Sequence, residues 1–137
     1  MADHIEETSA GVVVALKGAP AMTALVPAGR IYNAEPPATP VWPWAMCGIP
    51  DAIPSRETCH DTSIVSFVVH GFAKGPGKGA ASAIGDAIKR TLDGAVIIRN
   101  NVRIDVSVQQ VQIIRDSAEA SAYHAIVRCE AYCSEEG

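Results

Sequence analysis

Two stretches of this chain alternate strictly between apolar and polar side chains. From Val102 to Arg115, the residues Val102, Ile104, Val106 and Val108 take one parity and Arg103, Asp105, Ser107 and Gln109 the other. That period of two is the mark of a strand buried on one face only. After the short polar run Asp116, Ser117, Ala118 and Glu119, alternation resumes. Tyr123, Ala125, Val127, Cys129, Ala131 and Cys133 then oppose His124, Ile126, Arg128, Glu130 and Tyr132. The two runs predict a hairpin whose arms each span roughly 40 Å. A globule of 137 residues has a diameter under about 40 Å, so the hairpin must bend, project or meet another subunit. In the first arm the apolar parity moves from even positions, ending at Val108, to odd positions at Val111 and Ile113. One extra residue near Gln109 and Gln110 accounts for this, and predicts a β-bulge that bends and twists the arm.

Helical spacing appears twice. Asp3 followed by Glu6 reads as a capping box, and Ile5, Val12, Ala15 and Leu16 recur on one side of a helix that runs to Lys17 and stops at Gly18. The Val12, Val13, Val14 run pulls locally toward a strand. Pro20 opens a further turn through Leu25, which Pro27 ends. The second helix carries Ala80, Ala83, Ile84, Ala87, Ile88, Thr91 and Leu92 on one stripe and ends at Gly94. Before it comes a strand from Ile64 to Phe72. Between Glu35 and Pro54, prolines stand at positions 36, 37, 40, 43, 50 and 54, so Val41 to Ile49 is expected as an edge strand or an extended loop. Trp42 and Trp44 flank Pro43 there, either as a hydrophobic lid on the core or as a pair of anchors facing a partner.

Composition narrows the function classes. At 48% hydrophobic residues and 19% charged, the chain can bury one real core, and a single domain over residues 1–137 is expected. A net charge of -4 with no Lys/Arg block argues against tight binding to a phosphate backbone. There is no basic region followed by an apolar stretch at the start, and no apolar run near about 18 residues. The expectation is a protein made in the cytoplasm without a membrane partner.

Candidate chemistry thins out on inspection. Cys129 and Cys133 sit on one strand face about 13 Å apart, too far for a shared tetrahedral metal or a disulfide. They read as small core residues. Cys47, Cys59 and His60 lack any ligand spacing, and His70 reads as an ordinary strand histidine on the face of Ile64, Ser66 and Val68. Lys74-Gly75-Pro76-Gly77-Lys78-Gly79 joins strand to helix, but a P-loop needs glycine where Phe72 stands and Ser or Thr where Gly79 stands. No Ser/His/Asp, Cys/His or paired-carboxylate spacing emerges. No cofactor, no metal and no catalysis are expected.

The order of parts is informative where single motifs are not. A first helix, then Gly29-Arg30-Ile31-Tyr32-Asn33 leading into a proline-rich loop, then a strand, a glycine-rich connection, an amphipathic helix closing in Leu92-Asp93-Gly94-Ala95, and a hairpin with Ile114-Arg115-Asp116 at its turn follow one another. From about Glu6 to Tyr132 this resembles the tail-completion family, the tail-terminator or head-to-tail joining proteins of long-tailed bacteriophages and gene transfer agents. The Cys47 to His60 segment departs from that pattern. The resemblance implies an α+β domain with an antiparallel sheet, a long C-terminal hairpin and two helices packed on it. It further implies a structural neck protein of the particle, assembled in the host cytoplasm as a homohexameric ring on the tail tube protein, with a head-closure (stopper) protein above and DNA only passing through the lumen. The polar hairpin face, with Arg103, Asp105, His124, Ile126, Arg128 and Glu130, is the expected subunit or tube contact, together with Trp42 and Trp44. Ile126 stands out there as an apolar residue among polar ones. The alternatives are another neck component, or a small ligand-binding domain using the glycine-rich loop with His60 or His70.

Overall fold

The computed structural model describes residues 3–56, 61–116, 119 and 121–135. In chain order the elements are α1 (His4–Lys17), α2 (Pro20–Thr23), a 3-10 turn (Ala28–Arg30), β1 (Ile31–Asn33), β2 (Trp44–Cys47), β3 (Asp51–Arg56), β4 (Asp61–Lys74), α3 (Gly79–Leu92), β5 (Val96–Arg99), β6 (Val102–Arg115) and β7 (Ala122–Glu135). They form an α+β domain built on one seven-stranded sheet of order β1-β2-β4-β7-β6-β5, with β3 also paired to β4. All pairings are antiparallel except β1 with β2. β4 is the axis. One edge pairs with β7 along almost its whole length; the other is shared end to end by β3, against Asp61 to Ser66, and β2, against Val69 to Phe72.

The predicted hairpin is present, with fourteen residues in each arm. Its register shifts between Val108 and Gln110, leaving Gln109 as the bulged residue. The bulge keeps the two faces of β6 chemically consistent: Arg103, Asp105 and Ser107 face outward before it, and Gln110, Gln112 and Ile114 after it. The two cysteines of β7 lie on the core face, as expected. Cys59, His60 and turn residues Ser117 and Ala118 lie outside the described residues.

Helix α1 starts where the capping box puts it, the Asp3 carboxylate accepting from the Glu6 amide at 3.1 Å. The valine run remains helical because Val12 and Val13 are buried in the core while Val14 is left to solvent. Burial against the sheet outweighs a β-branched penalty of a few tenths of a kcal/mol per residue. α3 buries Ala81, Ile84, Ala87, Ile88 and Leu92, and Gly94 follows at φ +78°, a left-handed value that favours glycine. Both helices cover the same sheet face, where Val65, Phe67 and Val69 of β4 meet Val102, Ile104 and Val106 of β6 and Val127, Cys129 and Ala131 of β7.

Three expectations need correction. Val41 to Ile49 is neither a sheet edge nor a loop throughout, because β2 lies inside the sheet between β1 and β4. Its four residues contain no proline; Pro43 and Pro50 bracket it, so its ladder is unbroken. The end of the proline-rich stretch, expected as loop before the Ile64 strand, holds β3, and Pro54 is tolerated there because β3 has one neighbouring strand among the described residues. β5 was not expected, since Val96, Ile97 and Ile98 are consecutive apolar residues without alternation.

Helix α3 packs tightly over Gly71 of β4. A methyl group there would stand 2.5 Å from Ile84 Cγ2, so α3 would have to lift. Gly71→Ala is expected to destabilise the domain by about 1–3 kcal/mol through overpacking. Gly29→Ala, with no atom within 4 Å of the added methyl, should stay near neutral. Urea unfolding of the two variants side by side checks both values.

Candidate assembly surface

Helices occupy one face of the sheet, so the other has only its own side chains for cover. Register places them in rows across β4, β7 and β6: Phe72, His124, Ile114; His70, Ile126, Gln112; Val68, Arg128, Gln110; Ser66, Glu130, Ser107; Ile64, Tyr132, Asp105. β2 extends the first two rows with Trp44 and Met46. One end of this face is therefore aromatic and the other mixed apolar and charged.

The aromatic end is a continuous stack. Trp44 lies on Phe72 with ring centroids 4.0 Å apart and planes 11° from parallel. Phe72 lies on His124 at 4.2 Å and 17°. Trp42 meets Trp44 and Phe72 edge-on, and Lys74 Nζ stands 5.1 Å from its ring centroid. Trp44 is only 8% exposed yet stands outside the helix-side core cluster. Its indole N–H is buried and reaches no acceptor among the described residues.

His124 Nε2 and His70 Nδ1 are 2.7 Å apart, so one ring donates an N–H and the other accepts. That bond needs at least one neutral ring. Burial, with Arg128 nearby, lowers the pKa of His70. Burial first and His70 second push His124 down to about 4, against a smaller opposing pull from Asp116.

The other sequence-singled residues take distinct places on this face. Arg103 and Asp105 pair with each other, Nε to Oδ2 at 3.1 Å. Arg128 Nη1 stands 3.5 Å from Gln110 Oε1 and 3.4 Å from Gln112 Oε1. Glu130 is exposed between two serines, and Ile126 is half-buried between His70 and Gln112 rather than standing alone in solvent. Sequence reasoning missed Phe72, His70 and Met46 as members. A strand alternation that left Phe72 on the polar parity of β4 was the available signal.

A second feature adjoins this face. β5 pairs with β6 only as far as Asp105, and the segment after α3 bonds to Val106 and, through Asp93, to the Val108 amide at 3.0 Å. From Gln109 to Arg115 no strand pairs with the outer edge of β6 among the described residues. This edge carries exposed Val111 and Ile114 and invites strand addition.

Nothing in this geometry resembles a reaction centre. The Cys47 and Cys129 thiols are pushed up to about 12 by burial, which removes the thiolate that nucleophilic chemistry needs. The family model described as "Tail completion protein gp17" matches residues 10–134. The chain belongs to the tail-completion family. A chain from the virion of a native gene transfer agent particle shares the fold, with a TM-score of 0.83 over 97% of this chain and 99% of that one at 18% identity. A second solved chain does so at a TM-score of 0.57, with 96% of each chain covered and 16% identity. No curated protein matches. As a tail-completion protein the chain is a structural virion component rather than an enzyme. The resemblance read from the order of its parts is borne out.

Two outcomes follow from the face assignment of this tail-completion protein. Val127 is fully buried and Ile126 is not. Val127→Glu should therefore cost about 3 kcal/mol or more by burying a carboxylate, whereas Ile126→Glu should cost under about 1 kcal/mol; circular dichroism melts distinguish them. The histidine pair sets a pH dependence. In the unfolded chain each ring takes its proton near its ordinary value of about 6.5, but His124 in the native fold does so only near 4. Across that window the unfolded state binds more protons, so stability falls as pH falls. The decline in Tm from about pH 6.5 to 4 should be shallower in His124→Gln than in the parent chain.

Proposed function

We propose that this protein caps the finished tail tube as a homohexameric ring and joins it to the head-closure (stopper) protein at the neck of a phage or gene-transfer-agent particle. The observation that carries this reading is the free edge of β6 beyond the bulge. Fourteen-residue arms outrun the elements that pair with them among the described residues, and the stretch from Gln109 to Arg115 has backbone donors and acceptors along its outer edge that no described strand meets. A ring solves this by letting each subunit cover the edge of the next, with no open edge at closure. The outer sheet face, with Trp42, Trp44, His124, Ile126, Arg128, Glu130 and the Arg103–Asp105 pair, supplies the broader contact, either to a neighbouring subunit or to the tube. The unmet indole N–H of Trp44 supports a partner acceptor at that place.

Charge fits a channel. A chain of net charge -4 repels phosphates, so DNA passes the lumen without being held. Subunit interfaces of this kind are small singly and gain strength from ring closure and from the tube end as template. An isolated subunit in solution is compatible with the reading.

Deleting the gene and imaging the particles tests the role. The expected result is tails of uncontrolled length, or finished tails detached from filled heads. Restoring the gene with Gln112→Lys and Ile114→Lys, which charge outward-facing positions along the free edge and leave the helix-side face untouched, should reproduce the defect at least in part. Normal tails firmly joined to filled heads in the deletion strain would exclude this function.

A further inference from the structure

At the end of the sheet where β4 starts and β7 stops, the fold gathers three side chains from distant parts of the sequence. They are His4 in the first turn of α1, Asp61 at the first position of β4 and Glu135 at the last position of β7. One nitrogen or oxygen from each lies within 4.8 Å of those from the other two.

The histidine is the informative member. It is 8% exposed, and its Nδ1 lies 2.6 Å from Ser63 Oγ, itself on a buried residue. With Nδ1–H donating to that hydroxyl, Nε2 is left with a lone pair, and among the described residues no hydrogen-bond partner reaches it. What faces it is Glu135 Oε2 at 3.4 Å. A lone pair and a carboxylate oxygen repel at that distance unless positive charge lies between them. Asp61 adds a second acidic group, close enough to share a hydrogen bond with Glu135. Two carboxyls and an imidazole nitrogen converging on one point are costly for an empty fold and favourable around a cation.

We propose that His4 Nε2 and one carboxylate oxygen each from Asp61 and Glu135 bind a divalent transition-metal cation, with water completing its shell. For bonds of about 2.1 Å, adjacent ligands of a tetrahedral shell lie about 3.4 Å apart, which is the His4 to Glu135 separation. One nitrogen with two oxygens suits Zn²⁺ or Mn²⁺ better than Ca²⁺ or Mg²⁺, whose shells are built of oxygen. Ser63 plays the orienting part, holding the ring so that Nε2 points at the ion. The exposed Asp61 provides the way in. Bound there, the ion fastens the start of α1 to the ends of β4 and β7. This departs from the metal-free expectation drawn from the cysteines, which take no part.

The test uses the full chain, stripped with a chelator and then titrated with Zn²⁺ or Mn²⁺ alone. Calorimetry is expected to find about one ion per chain. Tm should rise by roughly 5–10 °C once free metal exceeds Kd about a hundredfold. Asp61→Asn, at an exposed position, should weaken binding at least tenfold without lowering the metal-free Tm, since it removes one of the clustered carboxylates. Glu135→Gln should do the same if His4→Ala proves too unstable to assay. Loading with Co²⁺ should give d–d bands without a thiolate charge-transfer band. Absence of saturable binding, undiminished binding in both carboxylate variants, or a thiolate band would each overturn the site.

Discussion

Residues Thr62 to Lys74 of β4 pair without interruption with Ser134 to Ala122 of β7, and every other element takes its position from that ladder. It fixes which side chains point up and which point down over most of the sheet. Because strand parity is strict, a slip by one residue would turn Val65, Phe67 and Val69 toward solvent and His70 and Phe72 toward the helices. The ladder therefore decides both what α1 and α3 can bury and what the opposite face can offer. Its other edge divides between β2 and β3, so the proline-rich middle of the chain is drawn onto the sheet instead of hanging from it.

With helices on one side only, the uncovered face solves its own packing problem differently at its two ends. Near β2 and the end of β4 it stacks Trp44, Phe72 and His124 across three strands, each ring shielding the next. Toward the start of β4 it uses short polar residues, an internal Arg103–Asp105 pair and an Arg128 reaching two glutamines. Surface pairs of this kind contribute under about 1 kcal/mol each. Their value lies in patterning: charges already matched within the chain cost a partner little to approach, while the aromatic end gives apolar area for it to cover.

Much of this was legible in advance because it is local. Alternation revealed β6 and β7, the parity change revealed the bulge at Gln109, and capping at Asp3 and glycine at position 94 marked helix ends. What was hidden depends on chain segments meeting across long separations. Val96 to Ile98 alternate with nothing and become a strand only because β6 presents an edge. Val41 to Ile49 reads as an edge or loop because prolines surround it, yet its four proline-free residues suffice for an interior strand between β1 and β4. The outward cluster was half visible: Trp42, Trp44, His124 and Ile126 were singled out by type, but only the β2–β4–β7 register joins Trp44 and His124 through Phe72.

The bulge ties the two halves of the hairpin to two different duties. Before it, β6 is flanked by β5 and lies over the buried core, where Val102, Ile104 and Val106 point inward. After it, the strand continues against β7 but loses its outer neighbour, and Val111 and Ile114 become partly exposed. A soluble chain ordinarily blunts such an edge with lysine, proline or a short strand. Here the seven residues from Gln109 to Arg115 hold one charge, at the last position, and no proline. An edge left that way is tolerable in a structural tail protein only if assembly covers it, because the groups that make a strand receptive to a neighbouring copy are those that make it prone to aggregate. The same constraint explains why the core-bearing part of the hairpin stops where it does. In the proposed ring, extending β5 along the rest of β6 would stabilise the monomer and remove the edge offered to the neighbouring subunit.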